Sequence, residues 1–277
     1  MRRSQVLVSA ILVLLSAAAV QCQEHQRPGG RERSGMLQKP APKVDIGIRR
    51  GKFIDFPSAS GTARAYLALP DDKNAKHPAI IVIQEWWGLN EWIMQQADRF
   101  AKQGYVALAV DLYRGKVATT QDEAHELMRG LPQDRAIADL KSGFNLLAAR
   151  PDVDPSHIGV IGWCMGGGVA LDLTTAEPRL AATVINYGHL VTDPATIARI
   201  QTPILGNFGA DDRGIPPADV QAFADATRAA GKSIDVKTYP GAGHAFMNPN
   251  NKGGYVPEAA QDAWSRIDAF FAKRLRG

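Results

Sequence analysis

Residues 157–168 read His-Ile-Gly-Val-Ile-Gly-Trp-Cys-Met-Gly-Gly-Gly, and few folds accommodate such a run. His157 to Ile161 is short, continuous and apolar, the pattern of a strand covered on both faces, while Cys164 opens a helix-like stretch reaching about Ala176. Gly-x-Cys-x-Gly at that junction is a nucleophile elbow: small flanking residues let strand and helix approach closely, and the strained turn presents one side chain at the sheet's edge. Cysteine suits the position, because the helix dipole favours a thiolate, the attacking species. A structural cysteine beside a glycine-rich packing turn is the plainer alternative. Dinucleotide binding is excluded, since the glycine spacing is wrong and a cysteine occupies the turn.

The rest of the chain alternates strand-like and helix-like segments around this junction. A hairpin is expected between Val44–Ile48 and Ala63–Leu69, then a strand at Ala79–Ile83, a helix over Glu91–Gln103 capped by Asn90 and ended by Gly104, and a strand at Tyr105–Val110 closed by Asp111. A helix over Asp134–Arg150 precedes the elbow strand. Strands at Leu180–Asn186, Pro203–Phe208 and Ile234–Tyr239 follow, with helices near Pro217–Ala230 and Pro257–Arg274. Strands alternating with helices imply an α/β architecture, a mostly parallel sheet with helices on both faces, because right-handed crossovers place helices on each side. Ligands of such sheets bind at the carboxyl ends of the strands.

Of the 32 Lys and Arg, 10 fall in residues 1–52 beside 3 acidic residues, leaving 22 against 25 in the remainder. The body is therefore close to neutral despite the overall charge of +4, which removes the compositional case for nucleic-acid binding. Met1-Arg2-Arg3, the apolar run Val6–Val20 and the small residues Ala17-Ala18-Ala19 read as a signal peptide over residues 1–21, too short for a membrane span, and imply a periplasmic or secreted protein. Residues 22–43, rich in Gln, Arg, Gly and Pro, read as a flexible linker, and 44–277 as one catalytic domain. The two cysteines, Cys22 and Cys164, lie in different regions and suggest no disulfide framework. Cys22 also offers a lipid anchor, although Gln21 is large where such sites take a small residue.

In this architecture an acid and a base follow the nucleophile in that order, each after a further strand. Gly209-Ala210-Asp211-Asp212 follows one strand and Gly241-Ala242-Gly243-His244 the next. His244 can take the thiol proton and return it to the leaving group while either Asp211 or Asp212 orients the imidazole. After the strand Ala79–Ile83 comes Gln84-Glu85-Trp86-Trp87-Gly88. There the amide of Trp86, with that of Met165, is placed to stabilise an oxyanion. Glu85 is unusual ahead of such a hole: it either shares a proton with the thiol or makes a structural hydrogen bond under the loop. Trp87, Tyr187 and Phe246 are candidates to line an apolar pocket, or simply to pack the core.

The segments Gln84-Glu85-x-x-Gly88-Leu89-Asn90, Asp111-Leu112-Tyr113, Gly162-x-Cys164-x-Gly166-Gly167, Gly209-x-x-Asp212-x-x-Ile215-Pro216 and Ala242-Gly243-His244-x-Phe246 together resemble the dienelactone hydrolase family, over about residues 44–277. The resemblance implies an α/β-hydrolase fold, a Cys164–Asp212–His244 triad with Asp212 chosen over Asp211 by register, and no cofactor or metal. It implies small ester or lactone substrates and a Glu85 that pairs with the resting thiol. It further implies that Arg114, beside Tyr113, binds a substrate carboxylate, although Arg114 falls one position early and Asn248 replaces a second family arginine. An amide cannot supply that charge, so the acidic-substrate preference is where the pattern departs. A broad carboxylesterase, an acyl transferase, or an inactive binding protein keeping the fold are the alternative readings.

Overall fold

The computed structural model describes residues 50–277. The expected signal peptide, the linker with Cys22 and the strand Val44–Ile48 lie outside the described residues. The hairpin partner of β2 (Gly61–Ala68) is instead β1 (Lys52–Ser58), joined antiparallel with Ser58 opposite Gly61. The remaining strands are β3 (His77–Ile83), β4 (Val106–Val110), β5 (Val153–Trp163), β6 (Ala182–Asn186), β7 (Ile204–Gly209) and β8 (Ile234–Tyr239). The eight form one sheet in the order β1-β2-β4-β3-β5-β6-β7-β8, antiparallel at β1-β2-β4 and parallel from β4 to β8.

Period-two alternation in β3 builds both layers of the core. Ile80 and Val82 face α1 (Glu91–Lys102) and the long C-terminal helix (Pro257–Leu275), whose Phe100, Ile267 and Phe271 are buried with them. Ile81 and Ile83 face the other way, toward Leu140 and Phe144 of the helix Gln133–Ala148 and Ala170 and Leu173 of the helix Met165–Ala176. At about 25 cal/mol for each Å² of apolar surface removed from water, these two faces are the main source of stability. Asn90 caps α1 by accepting from the Ile93 amide. In chain order we call Gln121–Arg129 α2, Gln133–Ala148 α3, Met165–Ala176 α4, Pro194–Ala198 α5, Pro217–Ala229 α6 and Pro257–Leu275 α7. Helices α2 and α5 were not expected from sequence. The first is short and so polar that only Ala124 is buried, leaving little apolar content to signal it, though Thr120 and Glu123 form a capping box. Among the described residues no helix is long and apolar enough to cross a membrane.

Candidate active site

Four loops at the carboxyl ends of β3, β5, β7 and β8 carry Glu85, Cys164, Asp212 and His244. Cys164 stands between β5 and α4 at φ 54° and ψ −122°, left-handed backbone that a non-glycine residue holds only when its surroundings enforce it. The enforcement is steric. A Cβ on Gly162 would lie 1.9 Å from the Gly166 carbonyl oxygen, and one on Gly166 would lie 2.3 Å from that of Gln84. Strand and helix thus close to a distance only glycines permit. The Cys164 amide donates to the Asn186 carbonyl at 3.0 Å, fastening the turn to β6.

The His244 side chain interacts with that of Cys164, which favours the imidazolium, and both line one cavity. On its other side, His244 Nδ1 meets Asp212 Oδ2 at 2.7 Å. Asp212 is itself fixed, because its Oδ1 accepts from the Gly214 and Ile215 amides at 2.9 and 3.2 Å. Asp211 is exposed and makes no such bond to His244. Burial works against the imidazolium, yet the bonds to Asp212 and Cys164 outweigh it and raise the His244 pKa to about 10. Burial likewise opposes the Asp212 anion, but the imidazole beside it brings its carboxyl below the usual range. The Asn251 amide group donates to the His244 carbonyl at 3.0 Å, holding the loop that carries this imidazole.

Glu85 is only 1% exposed. Burial raises its pKa to about 7, against the lowering effects of a 2.7 Å hydrogen bond from Asn248 Nδ2, the charge of His244 and a 3.5 Å bond from the Tyr187 hydroxyl. At neutral pH it is therefore a carboxyl close to half-protonated near the His244 imidazole. Glu85, Cys164, His244 and Asn248 line one cavity of about 770 Å³, with Trp86 and Trp87 in its wall. Among the described residues the Trp86 and Met165 amides donate to no backbone carbonyl, as an oxyanion hole between them requires.

The other candidates for substrate binding fall elsewhere. The Arg114 guanidinium is tied to Asp139 at 2.9 Å and to Ser60 Oγ, and also donates to the Thr62 carbonyl. It does not line the cavity. The Asp-Leu-Tyr segment is a turn: the Asp111 carboxylate accepts from the Tyr113 and Gly115 amides, and the chain reverses through Arg114 at φ 54°. That reversal aims Arg114 toward β2 and α3. Tyr113 is 5% exposed, its hydroxyl donates to Met165 Sδ at 3.2 Å, and it lies close enough to Cys164 for the two to interact electrostatically, although it does not line the cavity. Phe246 is fully buried between Tyr187 and Tyr239, so it packs the core. Among the described residues no cluster of three or more His, Cys, Asp or Glu is arranged to hold a metal.

Sequence reasoning missed a chain of buried amides beneath the elbow. Asn186 Nδ2 donates to the Gly162 carbonyl at 3.2 Å, and Asn207 Nδ2 donates to Asn186 Oδ1 at 2.9 Å. Asn207 Oδ1 in turn accepts from Arg266 Nη1 at 2.5 Å. The signal was present in the sequence as a polar residue inside each of two apolar runs, at Asn186 and Asn207. Their pairing required knowing that β6 and β7 are neighbours in register, Asn186 opposite Asn207.

The chain's likenesses agree with this geometry. The model of the dienelactone hydrolase family matches residues 63–275. A Methylorubrum extorquens protein provisionally named a carboxymethylenebutenolidase is 34% identical over 232 residues, covering 79% of each chain. An Escherichia coli protein of the same provisional name is 33% identical over 252 residues, covering 86% of this chain and 90% of its own. The crystal structure of a provisionally assigned dienelactone hydrolase from Klebsiella pneumoniae superposes with a TM-score of 0.74 at 31% identity, over 80% of this chain and 98% of that one. Elbow, sheet order and likeness thus converge, and the chain belongs to the dienelactone hydrolase family.

Proposed function

We propose that this protein hydrolyses ester or lactone bonds through a Cys164 thiolate, oriented by His244 and Asp212 and resolved through a thioester acyl-enzyme. The observation that supports the reading is the 2.7 Å bond from Asp212 to His244, with His244 interacting with Cys164 in one cavity large enough for a substrate. With Nδ1 committed to Asp212, the second ring nitrogen is the one available to the thiol. Because its pKa is raised to about 10, the imidazole already holds the thiol proton before attack; the thiolate Sγ then adds to the carbonyl carbon, and the amides of Trp86 and Met165 receive the oxyanion. Collapse breaks the acyl–oxygen bond, and the imidazolium gives its proton to the departing oxygen. Water, deprotonated by His244, then attacks the thioester and releases the acid, leaving thiolate sulfur beside the imidazolium. Glu85 holds an exchangeable proton beside this pair near neutral pH. The basic start and apolar run of residues 1–20 support export to the periplasm or beyond.

The test is turnover of phenyl acetate and of an unsaturated γ-lactone by wild type and by Cys164→Ala. The variant is expected to lose hydrolysis while keeping the wild-type circular dichroism spectrum, and iodoacetamide is expected to inactivate the wild type. Undiminished turnover in the variant would eliminate the thiol mechanism.

A further inference from the structure

The cavity over Cys164 is unevenly made. Trp86, Trp87, Val117 and Met128 give it one apolar wall. Trp86 is set in place from two sides, edge-on to Trp87 at 5.1 Å and to His125 at 4.8 Å. Neutral amides, those of Asn90, Gln121, Asn248, Asn250 and Asn251, make up much of the remaining lining. Three of these amides are already engaged within the protein, Asn90 with the Ile93 amide, Asn248 with Glu85 and Asn251 with the His244 carbonyl. Apart from His244, which belongs to the reaction, Lys252 is the one cationic side chain in the lining, and it is exposed. Glu85 adds a carboxyl that gains negative charge as pH rises past about 7.

A substrate carboxylate drawn into this space would find no cation there beyond the His244 imidazolium, already paired with Asp212, and exposed Lys252, and would meet Glu85. An unpaired buried charge is strongly unfavourable. A bulky apolar group would meet two tryptophans and a methionine, surfaces that reward area and adapt in shape. The volume of about 770 Å³ exceeds the needs of a small lactone and falls in the range of about 300–1,000 Å³ that encloses drug-sized ligands. We infer that the substrates are uncharged esters or lactones carrying an aromatic or extended aliphatic group, which the Trp86–Trp87–Met128 wall selects. This rests on the hydrolase reading above for the bond that is cut, but not for what the cavity holds.

Binding can therefore be tested with the nucleophile removed. In Cys164→Ala, the affinities of phenyl pentanoate and of the monophenyl ester of succinic acid are measured by tryptophan fluorescence at pH 7.5. The neutral ester is expected to bind at least about tenfold more tightly, since one unpaired carboxylate easily outweighs that ratio. Adding Trp87→Ala, or Met128→Ala on the largely exposed α2, is expected to weaken the neutral ester by at least about fivefold, the loss of one large buried contact. Lys252→Ala is expected to leave the ratio unchanged. Equal or tighter binding of the acidic ester, no binding of the neutral one, or an acidic affinity abolished by Lys252→Ala would each overturn the inference. Absence of hydrolysis by wild type would instead count against the thiol mechanism alone.

Discussion

Replacing Glu85 by Gln should change how stability depends on pH, in a direction opposite to that of most carboxylates. The carboxyl titrates at about 7 in the folded protein against 4.5 as its ordinary value. Between those two values the folded chain keeps a proton that the unfolded chain has released, so rising pH favours unfolding. The protonated carboxyl's contribution is complete below pH 4.5 and is lost as pH climbs through 7. At about 1.4 kcal/mol for each pH unit, the loss amounts to about 3 kcal/mol. Glutamine cannot ionise and carries no such slope. It also forfeits one acceptor from the pair that serves Asn248 and Tyr187, an offset of about 1 kcal/mol that does not vary with pH. The quantity to measure is therefore the difference in unfolding free energy, variant minus wild type, from urea melts followed by circular dichroism at intervals from pH 4.5 to 8. It should rise by about 3 kcal/mol and level off above pH 7. Parallel curves for the two proteins would refute the assignment of a half-protonated buried carboxyl.

Two further substitutions separate framework from site. Arg114→Ala should lower unfolding free energy by about 3 kcal/mol, because it leaves the Asp139 carboxylate, 1% exposed, without its cation. It should leave the relative KM for acidic and neutral esters unchanged; a selective rise for the acidic ester would return Arg114 to the substrate site. Asn207→Leu should destabilise by about 2 kcal/mol by stripping partners from Asn186 and Arg266. It should also lower kcat more than KM, since Asn186 supports the carbonyl two residues before Cys164; a stability loss with unaltered kcat would confine the amide chain to a structural role.

Arg114 shows where linear reading reaches its limit. Its position beside Tyr113 suggested a substrate contact, but the direction of an arginine depends on the turn beneath it. Here Asp111 gathers the Tyr113 and Gly115 amides and sends the guanidinium to Asp139, 25 residues along the chain. Phe246 misled for a related reason: its motif position next to His244 says nothing about which side of the loop the ring takes, and Ala245 at φ 56° turns it inward.

What could be read directly was whatever is encoded by short-range pattern. Apolar runs separated by amphipathic stretches announced strands and helices, and Gly162-x-Cys164-x-Gly166 announced the elbow, because backbone sterics at such a turn are local. The order in which Cys164, Asp212 and His244 follow successive strands is likewise a linear property. The order β4-β3-β5-β6-β7 and the cation-poor cavity emerged only in three dimensions. So did the bonds of Asn248 to Glu85 and of Asn186 to Asn207. Those features join residues separated by up to 163 positions, and burial, which alone makes an unpaired charge or a shared proton consequential, exists only once the layers have closed over them.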